Sequence, residues 1–166
     1  MTHPILNIAD LEFHPWGHGE RFEAKLGDIG KKLGARKLGY NLTVLPPGKR
    51  AFPFHSHRVN EEMFFVVEGE GEVRIGEDRH PIRSGDVICC PPGGRETAHQ
   101  IINSSDAELK YLAISTQEQP EVAEYPDSGK YSIFSVLTGA DGKPETMRLI
   151  IPDGGAGMND YWEGEE

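Results

Sequence analysis

The sequence predicts an all-β domain built from short antiparallel strands that pack as a sandwich or barrel. Strand-like segments recur at short intervals between residues 37 and 116. No long amphipathic helix lies between them, which argues against an alternating βαβ sheet. The 20 glycines and 12 prolines are spread along the chain in short clusters typical of tight turns. A length of 166 residues suits one such domain with extensions.

The first part of the chain and the predicted barrel differ in hydrophobic pattern. Residues 1–35 show no regular period, because glycine and proline interrupt each apolar run, and we expect them to form an N-terminal arm packing on the barrel. In 37–45 the side chains of Leu38, Tyr40 and Leu42 alternate with small or polar ones, which is strand periodicity. The barrel is expected to span residues 36–118, with further strands near 51–57, 63–68, 71–76, 86–90, 97–103 and 108–116.

The last part of the chain, residues 119–166, is irregular and acidic, with one candidate strand at 131–137. Long segments without secondary structure are uncommon in compact domains. We therefore expect a C-terminal extension that wraps the barrel or a partner subunit, with its aromatic side chains as anchors.

Charge and composition exclude several classes of partner. The net charge is −10, and the acidic excess lies after residue 50. Such a surface repels phosphate backbones and anionic bilayers, so we expect neither nucleic acid nor membrane as a partner. No apolar run approaches the length of a membrane span, and we expect a cytoplasmic protein.

The only cysteines, Cys89 and Cys90, are adjacent, so a disulfide between them would close no loop.

One short segment, HSHRVNEE at 55–62, is rich in potential metal ligands. On a strand, His55 and His57 project to the same side. Strand parity after the turn directs Glu62 toward them and Glu61 outward. A His-x-His pair alone is more often a solvated strand edge than a ligand pair. His99, about forty residues later, is a candidate third imidazole, although alternation alone does not establish that the distant strands meet.

Two stretches of the sequence resemble the paired motifs of the cupin superfamily. The first is Gly48 followed by His55-x-His57-x4-Glu62-x6-Gly69, and the second is Gly85-x5-Pro91-x-Gly93-x5-His99-x3-Asn103. The loops before His55 and before His99 are longer than the family's usual ones. The resemblance covers about 38–116 and extends to small bacterial single-domain cupins, some of them sugar-phosphate isomerase-like. It implies a double-stranded β-helix, or jelly roll, and four metal ligands: His55, His57, Glu62 and His99.

This resemblance implies one mononuclear divalent metal, such as Zn, Fe, Mn or Ni, with open positions for a small-molecule substrate. The expected function is an enzyme acting on a small oxygenated metabolite, either an isomerase or epimerase of sugar or sugar-phosphate type, or an oxidoreductase or decarboxylase. The alternative is a non-catalytic module that binds a small molecule or metal. Arg50, Arg95 and Tyr111 are the substrate-binding candidates, and the sequence identifies no general base. Cupin barrels commonly pair, so a homodimer is expected.

Overall fold

The structure, a computed structural model, describes residues 4–155, 157 and 160–165. These residues form an almost entirely β fold, with one four-residue α-helix, α1 (Gly30–Leu33), and two short 3₁₀ turns. The strands, in chain order, are β1 (His14–His18), β2 (Phe22–Asp28), β3 (Leu38–Leu45), β4 (Ser56–His57), β5 (Glu62–Glu68), β6 (Glu70–Ile75), β7 (Asp78–Arg83), β8 (Val87–Cys90), β9 (His99–Ile102), β10 (Leu109–Thr116), β11 (Glu121–Tyr125), β12 (Lys130–Thr138) and β13 (Pro144–Pro152).

The strands form three antiparallel sheets. The largest has the order β1-β2-β3-β10-β5-β8, and the second has the order β7-β6-β9. The main hydrophobic core contains side chains from both, including Val66 of β5, Val73 of β6 and Leu109 of β10. The third sheet, β13-β12-β11-β4, belongs largely to the C-terminal part of the chain. This arrangement confirms the predicted all-β double-stranded β-helix.

Strand β5 shows how the sequence pattern builds the barrel. It lies between β10 and β8, with Phe64 and Val66 buried and Met63 and Phe65 exposed. Because successive side chains on a strand point to opposite faces, the same parity directs Glu62 to the inner side. The alternation predicted from the sequence is therefore confirmed in this strand.

The N-terminal segment differs from its prediction. Residues 1–35 were expected to form an arm without a regular period, but β1 and β2 form a hairpin at the edge of the large sheet and β2 pairs with β3. Strand β2 has a period-two signal, since Phe22, Ala24 and Leu26 are all buried. Glycines at the turn made the segment look irregular, yet Gly19 adopts φ 57°, which lets the hairpin close.

The C-terminal segment is more regular than predicted. In place of one candidate strand it holds β11, β12 and β13, and β11 pairs with the short strand β4 at Ser56 and His57. Its aromatic side chains do act as anchors: Trp162 packs on Trp16 and Phe22 and stacks on His18. The predicted division into three parts, 1–35, 36–118 and 119–166, stays a prediction.

No helix among the residues described here combines the length and the apolar character that a bilayer crossing requires.

Candidate metal site

Three separate strands bring the predicted ligands to one end of the barrel. His55 and His99 form an antiparallel bridge in which each backbone N–H donates to the other's carbonyl oxygen, at 3.2 and 2.8 Å. His57 lies two residues further on, in β4, and Glu62 is the first residue of β5. Backbone pairing thus joins ligands about forty residues apart in sequence.

The side chains of these residues converge on the Glu62 carboxylate. Its Oε2 lies 2.8 Å from His99 Nε2, 3.5 Å from His57 Nε2 and 3.9 Å from His55 Nε2. One ligand atom from each of His55, Glu62 and His99 lies within 4.8 Å of the others. His57 lies beside this group, with its ring centroid 5.0 Å from that of His55 and 6.3 Å from that of His99.

The second ring nitrogens of the histidines face fixed oxygen atoms. His55 Nδ1 lies 2.8 Å from the Pro53 carbonyl oxygen, and His99 Nδ1 lies 3.3 Å from that of Thr97. Metal-binding histidines typically have such a partner on the far nitrogen, since it fixes the ring orientation and the tautomer. Both contacts leave Nε2 directed at Glu62.

His57 has a carboxylate as its far partner. Its Nδ1 lies 3.6 Å from Glu121 Oε2. Glu121 is buried at the start of β11 and accepts backbone hydrogen bonds from Arg58, Val59, Asn60 and Val122. Sequence reasoning missed Glu121, because it lies in the extension and no local motif contains it.

The electrostatics favour an ionised carboxylate beside imidazoles of different pKa. Burial alone would raise the pKa of Glu62, but His57 and His99 hold it well below its usual range. Burial, with the neighbouring His99 and His57, lowers the pKa of His55 to about 3. Burial alone would also lower the pKa of His57, but Glu121 and Glu62 on either side raise it to about 9.

The donor set fits a divalent metal. Both ring nitrogens of His57 are buried and make no hydrogen bond to any described residue, and Nε2 faces the Glu62 carboxylate. Buried polar atoms without partners are rare unless a ligand or ion satisfies them. Imidazole nitrogens with one carboxylate oxygen suit Zn, Fe, Mn and Ni. His55, Glu62 and His99 would hold such an ion, with His57 as the fourth ligand.

A cavity of about 240 Å³ opens onto these side chains. Phe52 and Phe64 form apolar parts of its wall, and Tyr111 lies within it, fully buried. Burial raises the pKa of the Tyr111 phenol. Tyr111 therefore lines the cavity, and its predicted part in substrate binding stays a prediction.

The two arginines predicted to bind substrate lie elsewhere. Arg50 bridges the backbones of Phe22 and Ile102 and is not among the described residues that line the cavity. Arg95 is also outside it and forms ion pairs with Glu124 and Asp153. Their nearness to the ligands in sequence therefore did not predict their position, since neither lines the cavity. The cavity contains a different arginine, which is described below.

Comparison with known proteins finds a family match over the region that contains this site. A family model described as a cupin domain matches residues 41–115. An uncharacterised protein of Methanocaldococcus jannaschii is 29% identical over 85 residues, which are 49% of this chain and 65% of that protein. An oxalate-binding protein of Thermotoga maritima is 33% identical over 70 residues, which are 42% of this chain and 54% of that protein. The matches thus span between about half and two thirds of these curated relatives.

Solved structures match over more of the chain. A sugar phosphate isomerase from a cupin superfamily, from Silicibacter pomeroyi, has a TM-score of 0.69 and 25% identity, covering 87% of this chain and 92% of that one. A predicted oxalate decarboxylase of Thermotoga maritima has a TM-score of 0.59 and 20% identity, covering 69% of this chain and 99% of that one. Residues 41–115 of this chain therefore match a cupin domain, and the fold and the paired histidine motifs agree with that match.

Proposed function

We propose that this chain is a metal-dependent enzyme that isomerises or epimerises a small sugar or sugar phosphate. The observation that carries the proposal is the convergence of His55, Glu62 and His99, with His57 beside them, on one wall of a partly closed cavity. A metal that only ties strands together has no need of an adjoining cavity.

A divalent metal in this site supplies Lewis acidity to neighbouring oxygens of a hydroxyketone or aldose. The protein's own residues supply the surroundings. Glu62 is ionised and partly buried, because His57 and His99 hold its pKa well below its usual range, so it provides negative charge to the site. The Tyr111 phenol keeps its proton at neutral pH because burial raises its pKa, and it can donate a hydrogen bond or a proton to a substrate oxygen.

The size and walls of the cavity support a small substrate. Its volume of about 240 Å³ is below the roughly 300–1,000 Å³ of sites for drug-sized ligands. Phe52 and Phe64 exclude water from part of the wall, which strengthens hydrogen bonds and charge interactions inside.

The isomerase class is favoured over redox chemistry by the extent of the structural likeness. The Silicibacter pomeroyi structure, named a sugar phosphate isomerase, is matched over 87% of this chain, which includes strands outside the cupin core. The relatives named for oxalate are matched over smaller shares, 42% and 69%. They support a second candidate function, the binding or decarboxylation of a small dicarboxylate.

The test is a turnover screen of metal-loaded protein. The metal-stripped chain is loaded separately with Mn²⁺, Fe²⁺, Ni²⁺ or Zn²⁺, its metal content is measured, and sugars, sugar phosphates, keto-acids and oxalate are followed by NMR with and without oxygen. An isomerase converts an aldose or ketose without oxygen and incorporates solvent deuterium next to the carbonyl.

Two variants make the screen specific. Glu62→Gln has nearly the same shape and should lose both metal and turnover, whereas Tyr111→Phe should keep the metal and lose turnover. Carbon dioxide release from oxalate, or oxygen consumption, would support the second class instead. Tight binding of a compound without conversion under any metal would identify a non-catalytic module.

A further inference from the structure

Arg148, on β13, is the one Lys or Arg side chain among the described residues that line the main cavity. It also lines a second cavity, which shares His57, Glu62 and Tyr125 with the first. The C-terminal sheet therefore places a guanidinium at the opening that leads to the proposed metal ligands.

Among the described residues, no Asp or Glu lies within ion-pair distance of Arg148. Three other arginines do have carboxylate partners. Arg58 and Arg95 both pair with Glu124, and Arg74 pairs with Asp127. The buried Lys130, which lies near the rings of Tyr125 and Tyr161, pairs with Glu165. The positive charge of Arg148 is thus left uncompensated by a carboxylate at the cavity mouth.

The side chain of Arg148 is nevertheless held in position. Its guanidinium lies over the Tyr161 ring, 4.7 Å from the ring centre, and its Nε donates a long hydrogen bond to Ser132 Oγ at 3.5 Å. Its backbone is fixed in the β12–β13 ladder opposite Phe134. A stacked, oriented guanidinium loses little conformational entropy when it binds a planar or tetrahedral oxyanion, so it is well suited to do so.

The charge of the molecule disfavours an anionic ligand at a site that has no such residue. The chain has a net charge of −10, and the Glu62 carboxylate lies inside the cavity. An anion approaching this surface is repelled unless a local cation offsets the field. Arg148 provides that cation at the entrance, on the side of the cavity formed by Tyr125 and Tyr161.

We propose that Arg148 binds the phosphate or carboxylate group of the substrate, so that the sugar or acid oxygens at its other end face His55, Glu62 and His99. The proposal rests on the proposed function, for which it names the substrate class: a small oxygenated metabolite with an anionic end. It also gives the C-terminal part of the chain a role, because Arg148 and Tyr125 lie in its sheet and Tyr161 lies in the turn region that follows β13.

The test compares anion binding by three forms of the metal-stripped chain: wild type, Arg148→Gln and Arg95→Gln. Calorimetry and NMR titration use inorganic phosphate, oxalate, ribose 5-phosphate and neutral ribose as probes. Arg95 is the matched control, because it is also an exposed arginine but pairs with carboxylates outside the cavity. Using metal-stripped protein separates this question from catalysis.

Arg148→Gln should weaken binding of the anionic probes about 10- to 100-fold, the usual effect of losing a charged hydrogen-bond donor. The affinity for ribose should change less than about two-fold. Arg148→Lys should bind the anionic probes with intermediate affinity, and added NaCl should weaken the binding of the anionic probes only. The probe whose affinity falls more in Arg148→Gln, phosphate or oxalate, identifies the type of anion that the site prefers.

Unchanged anion binding in Arg148→Gln, with or without a lower melting temperature, would show that the residue only packs on Tyr161 and would overturn the proposal. An equal loss in Arg95→Gln would do the same. If the anion effect is seen but no metal or turnover is found, the proposed enzyme function fails while the anion site stands.

Discussion

Proton competition at His57 gives a quantitative prediction for metal binding. In the metal-free protein, Glu121 and Glu62 raise the pKa of His57 to about 9, so this imidazole is protonated at neutral pH. A metal requires the neutral form. Raising the pH from 6.5 to 8.5 should therefore tighten the apparent affinity for Mn²⁺ by about 80-fold, with release of about one proton per ion.

The assay is a titration of metal-stripped protein in which the EPR signal of free Mn²⁺ is measured at several pH values. His55 does not add to the dependence, because its pKa is lowered to about 3 and it is already neutral over this range. The matched variant, His57→Gln, should bind more weakly and lose most of the pH dependence. The reasoning would be refuted if the Mn²⁺ affinity of the wild type changed less than about five-fold between pH 6.5 and 8.5. It would also be refuted if the wild type and His57→Gln showed the same pH dependence.

The same proton affects stability in the opposite direction. The pKa of His57 is raised from 6.5 to about 9 on folding. Its protonated form therefore stabilises the folded metal-free protein fully below pH 6.5, and this stabilisation is lost as the pH rises through 9. The loss amounts to about 3 kcal/mol of unfolding free energy. Urea unfolding of metal-free protein at both ends of this range measures it, and His57→Gln should remove the slope.

The remaining predictions concern supporting contacts. At a pH above the pKa of His57, where proton competition no longer contributes, Glu121→Gln should weaken metal binding about 10- to 100-fold by releasing His57 Nδ1. The exposed control Glu118→Gln should bind metal like the wild type, and equal effects of the two substitutions would contradict the positioning role. Lys130→Met should lower the unfolding free energy by about 3–5 kcal/mol, because the buried Glu165 loses its partner; in denaturant unfolding the control Lys143→Met, from an exposed pair, should change it little. Sedimentation tests the homodimer expected from the sequence, and a mass in solution equal to that of one chain would contradict it.

The barrel strands were predictable because their periodicity is local. In β5 buried and exposed side chains alternate, so the sequence alone indicates which side chains are buried. Strand β3 has the same alternation in sequence, but Leu42, Thr43, Val44 and Leu45 are all buried, because both faces of its second half are covered. Strand β7 was not predicted, because Asp78–Arg83 is mostly polar and exposed and contains a proline. Its pairing with β6 supplies the strand structure that its own residues do not indicate.

The site was only partly predictable for a related reason. Spacing along the chain predicts that His55 and His57 share a face, but it does not predict that His99 pairs with His55; that came from the resemblance to a family. Glu121 and Arg148 could not be found locally, because β11 and β13 reach the cavity only through the pairing of β11 with β4 and the ladder from β11 to β13. Contacts of this kind are set by topology.

The most direct test of the central claim is anomalous X-ray scattering from a crystal of the zinc-loaded protein. The account predicts a single strong peak bonded to the side chains of His55, His57, Glu62 and His99, at about 2.0–2.2 Å from their ligand atoms. A crystal with zinc in the solution and no peak between these side chains, or with peaks only at surface carboxylates, would contradict it.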